Sequence, residues 1–281
     1  MNIDPATSVG PVHLTVADLD RSLAFYQQAL ELGPRERGGG VASLGTEERE
    51  LLALHEEPGA RPVHGHTGLF HYALLLPERL ELARWLAHAA RAGVPLTGMS
   101  DHLVSEAVYL RDPDGHGIEV YSDRPRDEWP RDGDRVRMAT LPLDTDSLLG
   151  VLDGSEFEGL PARTRMGHVH LHVADIDETE AFYRDVLGFD VMARLGDQAT
   201  FLSAGGYHHH VGANTWAGPG ATPPPPASAA LRHATVVLPD AAERDRVVGR
   251  VADAGGEPEA LDGGVLVRDP SQNALLLAAG G

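Results

Sequence analysis

The amino-acid sequence predicts an α+β protein built from four similar units, each a strand followed by a helix and about three more strands. Two pairs of similar segments predict this architecture. Pro11–Tyr26 (PVHLTVADLDRSLAFY) recurs as His168–Tyr183 (HVHLHVADIDETEAFY), and Phe70–Pro77 (FHYALLLP) recurs more loosely as Arg232–Pro239 (RHATVVLP). Internal similarity of this kind is the sequence signature of a repeated supersecondary unit.

The first and third units begin with a strand, an aspartate and an amphipathic helix. Asp18 and Asp175 stand where an N-cap residue is favoured, and apolar residues at helical spacing follow each of them. Each of these helices ends at a glycine, which is the preferred stop. The helices of the second and fourth units end at Gly93 and Gly255. The four units cover about residues 7–57, 66–122, 166–216 and 229–279.

Two connectors separate the units. The linker at residues 126–165 is rich in charge, and its short apolar run at residues 148–152 predicts one helix. The second connector contains the proline run Pro223–Pro226, which predicts a stiff spacer. The chain therefore divides into a first half at residues 7–125, the linker, and a second half at residues 166–281, with two units in each half.

The end of the second unit reads as two strands around a turn. Ala107–Leu110 and Ile118–Tyr121 are the strands, and Asp-Pro and Asp-Gly mark Arg111–Gly117 as the turn. Because side chains alternate along a strand, Glu119 points away from its apolar neighbours. A carboxylate that faces a dry core is costly unless it is paired or binds a metal. Taken alone, the glutamate fits the solvent face of an antiparallel sheet better, because that is the commoner position for a single glutamate.

Composition narrows the classes of function. The net charge of −19 disfavours nucleic acid and anionic membranes as partners. The absence of cysteine excludes disulfides, thiolate nucleophiles and cysteine metal sites, so that histidine and carboxylate must hold any metal. The chain of 281 residues has 15 histidines and is long enough for about two domains. No apolar run is long enough to cross a bilayer and the N-terminus lacks signal-peptide features, so we expect a cytoplasmic protein.

Three motifs resemble the vicinal oxygen chelate superfamily, which includes glyoxalases and extradiol dioxygenases. They are the V-A-D-(L/I)-D…F-Y…L-G entry to the helix, the ending RDPDGHGIEVY from Arg111, and YHHHVGANTW from Tyr207. The similarity covers the whole chain apart from the two connectors, and it is greatest to two-module, ring-cleaving catechol 2,3-dioxygenases. The resemblance implies the glyoxalase/bleomycin-resistance/dioxygenase fold, in which βαβββ units pair into two cups of β-strands.

The resemblance also implies where a metal would bind. In such folds one unit supplies a ligand from its first strand, and its partner supplies ligands from its first and last strands. His168, His71 and Glu119 fill these three positions, whereas Pro11 and Leu276 occupy corresponding positions and cannot bind a metal. The second unit should therefore pair with the third, and the first with the fourth.

Alternatives to this ligand set stay open at the sequence level. His168, His170 and His172 share one face of their strand, so His170 is an alternative ligand, followed by His13. His233 is interpreted as an ordinary buried residue because its unit lacks the glutamate. Two histidines and one carboxylate are the facial triad of non-haem Fe(II) oxygenases, which makes Fe(II) the expected metal, with Mn(II) or another divalent ion as the alternative.

Further site residues follow from the resemblance. His209, placed on the fourth strand of the third unit, matches the acid–base histidine, and Tyr109 matches a tyrosine that hydrogen-bonds a substrate oxygen. The ordinary interpretation of Tyr109 is a core aromatic residue, and that of His209 is a polar residue at the edge of a hairpin. Other side chains that could line a substrate pocket are His102, His210, Asn214 and Trp216.

The function expected from these residues is extradiol cleavage of a catechol-type aromatic diol by O2. The alternatives are a glyoxalase-type metal-dependent isomerase or lyase, and a small-molecule-binding resistance protein. A second glutamate ligand is typical of the isomerases, and His168 occupies the corresponding position here. The identity of the diol and the formation of homo-oligomers are left open.

Overall fold

The computed structural model describes residues 2–280. The first unit and the short strand after it contain β1 (Ser8–Val16), α1 (Leu19–Leu30), β2 (Pro34–Gly38), β3 (Val41–Gly45), β4 (Glu50–Glu56) and β5 (Arg61–Pro62). The second unit contains β6 (Gly68–Leu76), α2 (Arg79–Arg91), β7 (Leu96–Asp101), β8 (Ser105–Arg111) and β9 (Gly117–Asp123).

The linker is partly ordered into short elements. They are a 3₁₀ turn (Arg126–Glu128), β10 (Arg131–Asp132), β11 (Arg135–Val136), β12 (Leu141–Pro142) and α3 (Thr145–Leu149). The helix therefore begins three residues before the apolar run that predicted it, because Asp144 caps it by accepting a hydrogen bond from the backbone N–H of Ser147. Only Leu148 of this helix is fully buried.

The second half of the chain repeats the pattern of the first. The third unit contains β13 (Arg165–His172), α4 (Ile176–Ala181), which continues as a π-helical turn (Phe182–Leu187), β14 (Asp190–Leu195), β15 (Ala199–Ser203) and β16 (Val211–Asn214). The fourth contains β17 (Ser228–Ala229), β18 (Leu231–Leu238), α5 (Ala241–Asp253), β19 (Glu259–Leu261), β20 (Gly264–Arg268) and β21 (Ala274–Ala279).

Aspartates cap three of the four unit helices. Asp18 accepts a hydrogen bond from the backbone N–H of Arg21, and Asp175 and Asp240 make the equivalent bonds. These side chains satisfy backbone donors that the first helical turn leaves without a partner. The helix α2 follows Glu78 and has no side-chain cap.

Two large sheets organise the molecule. The nine-stranded sheet has the order β12-β7-β8-β9-β6-β13-β16-β15-β14, and the eight-stranded sheet has the order β19-β20-β21-β18-β1-β4-β3-β2. The second unit thus pairs with the third, and the first with the fourth, as predicted. The predicted α+β fold with four βαβββ units in two modules is confirmed. Each module takes one unit from each half of the chain.

The two Arg-Asp-Pro segments, at residues 111–113 and 268–270, form structural turns. Asp112 Oδ1 accepts hydrogen bonds from the backbone N–H groups of Asp114 (3.0 Å) and His116 (2.9 Å), which closes the turn between β8 and β9. Its Oδ2 accepts a bond from the hydroxyl of Tyr26 at 3.2 Å, so that the turn is fixed to α1. Asp269 makes the corresponding bonds in the fourth unit.

None of the helices in residues 2–280 combines the length and apolarity that crossing a membrane would need.

Candidate metal centre

Three adjacent strands of the nine-stranded sheet bring the candidate ligands together. His71 lies on β6, Glu119 on β9 and His168 on β13, and β6 is hydrogen-bonded to both of the other strands. Ala73 is the register partner of Glu119 on one side and of His168 on the other. Because side chains alternate, Ala73 and His71 share a face, so the methyl group of Ala73 lies between the three larger side chains.

The three donor atoms lie close to one another. Glu119 Oε2 is 3.0 Å from His71 Nε2 and 3.3 Å from His168 Nε2, and the two Nε2 atoms are 3.3 Å apart. Within residues 2–280, no second cluster of histidine, cysteine, aspartate or glutamate side chains has the spacing that a metal ion requires. A triad suited to a divalent metal is therefore present.

Burial and charge put these ligands in the protonation states that a metal needs. Burial alone would raise the pKa of Glu119, but the imidazoles of His168 and His71 hold it well below its usual range. Burial lowers the pKa of His168 to about 4, against the opposing charge of Glu119. At neutral pH the site thus offers one carboxylate and a neutral imidazole, and metal ligands must be deprotonated in this way.

A glycine makes room for this arrangement. A Cβ atom on Gly167, directly before His168, would lie 1.8 Å from the hydroxyl oxygen of Tyr121. Tyr121 follows Glu119 by two residues on β9 and packs with its ring centroid 5.0 Å from that of His168. The absence of a side chain at Gly167 therefore lets β13 and the Tyr121 side chain approach each other beside the ligand.

Tyr109 and His102 form a hydrogen-bonded pair at the wall of the site. The Tyr109 hydroxyl oxygen is 2.6 Å from His102 Nε2, and His102 Nδ1 is 2.7 Å from the carbonyl oxygen of Ala139. A carbonyl oxygen only accepts, so Nδ1 carries the proton of a neutral His102 and Nε2 accepts the Tyr109 hydroxyl. Burial, and then the charge of Glu119, raise the pKa of Tyr109 well above 10, so the phenol stays protonated.

The three consecutive histidines do not lie on a strand. β16 begins only at Val211, and His208, His209 and His210 belong to the connection that precedes it. The expectation that they lie on the fourth strand was therefore wrong. A turn with Gly205 and Gly206 at positive φ delays the start of pairing with β15.

Of the three histidines, His209 is the one that lines the cavity beside the triad. Its ring centroid is 4.0 Å from that of His168. His208 is buried behind it, with Nδ1 2.7 Å from His209 Nδ1. His210 Nδ1 lies 3.1 Å from Ser203 Oγ and 3.2 Å from the backbone nitrogen of Ala204, and this residue is not part of the cavity wall.

The cavity in front of the triad has a volume of about 430 Å³. His71, Glu119 and His168 lie in its wall together with Tyr109, His102, His209 and Trp216. The remaining wall is largely apolar or aromatic and includes Phe70, Phe201, Ile118, Met138 and Leu195. A mostly apolar pocket with a few convergent polar groups is typical of small-molecule sites.

Asn214 and His172 are turned toward each other and away from this cavity. Asn214 Oδ1 is 2.8 Å from His172 Nδ1 and accepts the backbone N–H of Trp216 at 3.0 Å. His172 lines a neighbouring cavity, although its spacing from His168 and His170 predicted a common face. The register of β13 against β6 shifts between His170 and Leu171, which breaks the alternation at that point.

The alternative ligands differ in position. His170 is buried in the cavity wall, its ring centroid 5.0 Å from that of His71, but it is not part of the triad. His13 lies on β1 in the other sheet, where its Nδ1 is 3.1 Å from His55 Nε2 and its ring stacks on His233 at 4.0 Å.

Two structural features of the site were not anticipated from the sequence. Ala73 lies between Glu119 and His168 in the strand register. Asp123 accepts a hydrogen bond from His208 Nε2 at 2.9 Å. Strand alternation indicates only that Asp123 shares a face of β9 with Glu119 and Tyr121, and it does not indicate the partner His208.

Known proteins resemble this chain over nearly its whole length. The family model of the Glyoxalase/Bleomycin resistance protein/Dioxygenase superfamily matches residues 8–120 and 165–275. The chain is 44% identical to Catechol-2,3-dioxygenase of Bacillus subtilis (strain 168) over 281 residues, which cover 98% of each chain.

Solved structures show the same fold at low sequence identity. A provisionally named dioxygenase from Bacillus subtilis subsp. subtilis str. 168 has a TM-score of 0.69 at 14% identity, with 99% of this chain and 86% of that chain covered. Glyoxalase I from Zea mays has a TM-score of 0.59 at 15% identity, with 98% and 92% covered. By its sequence matches and its fold, the chain belongs to the Glyoxalase/Bleomycin resistance protein/Dioxygenase superfamily.

Proposed function

We propose that this protein is an Fe(II)-dependent extradiol dioxygenase that opens the ring of a catechol-type diol with O2. The observation that carries the proposal is the convergence of His71, His168 and Glu119 on one face of a largely apolar cavity. The full-length relative named Catechol-2,3-dioxygenase supports the same chemistry.

The donor set favours Fe(II) over other ions. Two imidazole nitrogens and one carboxylate, with the remaining positions open, match the facial triad of non-haem Fe(II) oxygenases. These three residues would hold the ion, and bound Fe(II) would acidify a diol hydroxyl and supply the one-electron chemistry that O2 requires. A zinc or nickel isomerase typically uses a second carboxylate, and the triad described here contains only Glu119.

We assign the proton transfer to His209. Burial, reinforced by the neighbouring imidazoles of His168 and His208, lowers the pKa of His209 well below 6.5, so it is a neutral base at pH 7. A neutral imidazole in the cavity wall can take the proton of a substrate hydroxyl and later return it.

Tyr109 and the apolar wall would orient the substrate. The Tyr109 hydroxyl lies in the wall of the cavity and would bond a diol oxygen, while His102 retains it in place. Phe70, Phe201 and Trp216 present ring surfaces to the same cavity, where they would contact the aromatic ring and exclude water.

The proposal is tested by metal loading and oxygen uptake. Metal-free protein is loaded anaerobically with Fe(II), Mn(II) or Zn(II) in separate samples, and O2 consumption is recorded after catechol is added. We expect the Fe(II) sample to consume one O2 for each catechol and the Zn(II) sample to consume none. The glyoxalase-type function would be favoured instead if neither the Fe(II) nor the Mn(II) sample consumed O2 and the Zn(II) sample isomerised a hemithioacetal.

A further inference from the structure

We infer that Asp123 and His208 are positioning residues that fix the tautomer of His209, so that its Nε2 is the free base in the cavity wall. The role of His209 as a base rests on the proposed function. The hydrogen-bond chain itself stands on the geometry of residues that lie behind the cavity.

When His208 is neutral, the chain of hydrogen bonds has one direction. Asp123 Oδ1 is 2.9 Å from His208 Nε2, and because a carboxylate only accepts, His208 must donate through Nε2. In neutral His208 the other nitrogen, Nδ1, then carries a lone pair. His209 Nδ1 is 2.7 Å from that lone pair and must donate to it. Nε2 of neutral His209 is therefore the nitrogen without a proton.

Packing holds the middle member of the chain in place. The His208 side chain is 0% exposed, and rings of Tyr207 and Trp129 lie with centroids 4.0 Å and 5.2 Å from its own. Trp129 comes from the linker, which therefore covers the back of the site. An imidazole enclosed by two aromatic rings has little freedom to turn away from its partners.

A pair of tyrosine hydroxyls holds the Asp123 side chain in place. The hydroxyl of Tyr207 donates to Asp123 Oδ1 at 3.3 Å, and the hydroxyl of Tyr121 is 2.7 Å from that of Tyr207. Asp123 also lies on β9, four residues after the candidate ligand Glu119, so one strand supplies both the carboxylate of the triad and the carboxylate that orients the base.

The arrangement resembles the aspartate–histidine pair that orients the base of a serine protease, with one imidazole inserted. When His209 takes a proton from the substrate on Nε2, it becomes an imidazolium whose Nδ1–H already points at a lone pair. The chain to Asp123 stabilises that charge. The Asp123 side chain is 22% exposed, so the far end of the chain reaches solvent.

The tautomer is tested directly in the metal-free protein. In a sample with ¹⁵N-labelled histidine, one-bond nitrogen–hydrogen couplings show which imidazole nitrogens carry a proton. We expect a proton on His208 Nε2 and on His209 Nδ1, and none on His209 Nε2. Asp123→Asn keeps an acceptor and should keep this pattern of protons, whereas Asp123→Leu removes the acceptor and should lose it. A proton on His208 Nδ1 or on His209 Nε2 in the unmodified protein would overturn the inference.

The same variants are then measured with Fe(II) and catechol. We expect kcat to fall by about 100-fold or more in Asp123→Leu, which is the lower range for general acid–base help, and by less in Asp123→Asn. KM for catechol and iron content should stay unchanged in both. Asp190→Leu, which removes an exposed carboxylate on β14 that accepts a bond from Asn2, is the matched control and should keep most of kcat. Equal kcat values in Asp123→Leu and the unmodified protein would overturn the positioning role.

Failure of the proposed function gives a different result. In that case the unmodified Fe(II) protein consumes no O2 with catechol, while the positions of the imidazole protons still decide whether Asp123 and His208 fix the tautomer of His209.

Discussion

His71 and His168 belong to opposite halves of the chain, yet their Nε2 atoms lie 3.3 Å apart on neighbouring strands of one sheet. This relationship makes the candidate metal centre a product of both halves. In the other sheet His233 corresponds to His71 and stacks on His13, which corresponds to His170. Pro11 and Leu276 stand at the positions of His168 and Glu119.

Removal of the carboxylate should remove the metal. We expect Glu119→Ala to lower metal affinity by more than about 100-fold, since even outer-shell partners of a metal ligand are worth roughly 10- to 100-fold. His233→Ala, at the equivalent buried position of the other sheet, is the control and should bind one ion per chain. Metal analysis after dialysis checks both variants, and a stoichiometric ion in Glu119→Ala would refute the ligand assignment.

Ala73 should tolerate no larger side chain if the site is to bind metal. Its methyl group lies between Glu119 and His168, so Ala73→Leu would fill the space where the donor atoms converge. We expect loss of metal together with a decrease of about 1–3 kcal/mol in the free energy of unfolding, which is typical of overpacking. Metal titration and urea denaturation measure the two effects. Normal metal affinity in this variant would contradict the described geometry.

The Tyr109 hydroxyl should contribute to turnover and not to metal binding. Tyr109→Phe should raise the activation free energy that kcat/KM reports by about 1–3 kcal/mol, the range for one hydrogen bond to a charged group. This change corresponds to a decrease in kcat/KM of roughly 5- to 150-fold. Tyr72→Phe is a suitable control, because the hydroxyl of this buried tyrosine bonds Tyr26 and not the cavity residues. The role fails if the Tyr109 variant loses its iron or keeps full activity.

Acid should weaken the metal-free protein. The pKa of His168 is lowered from 6.5 to about 4 in the folded chain, so the unfolded chain binds this proton more readily. The free energy of unfolding is therefore independent of this group above pH 6.5, and it decreases as the pH falls from 6.5 toward 4. Urea midpoints measured between pH 7.5 and pH 4 should decrease, and less steeply in His168→Asn. An equal slope in both proteins would contradict the lowered pKa.

The sequence predicted that His71, Glu119 and His168 come together, and the structure places them so. The family resemblance assigns metal ligands to first and last strands, the repeat locates those strands, and only one pairing of units completes the set. The register of β6 against β13 could not be predicted, since it depends on contacts between segments about a hundred residues apart. The position of Ala73 between the ligands follows from that register.

The hydrogen bonds behind His209 could not be predicted from the sequence for a related reason. His208 meets Asp123 across 85 residues of sequence, and no local periodicity links a turn to the end of a strand. The direction of His172 was also missed, because a register shift on β13 interrupts the alternation on which the expectation rested. Local alternation predicts faces only where the ladder of hydrogen bonds is regular.

The central claim is that His71, Glu119 and His168 hold Fe(II) for insertion of both atoms of O2 into a catechol-type diol. Reaction of the Fe(II)-loaded protein with catechol under ¹⁸O2, followed by mass spectrometry of the product, tests it most directly. The account predicts a ring-opened product that carries two ¹⁸O atoms and is absent from the Glu119→Ala reaction. Recovery of unchanged catechol, or of a ring-opened product without ¹⁸O, would contradict it.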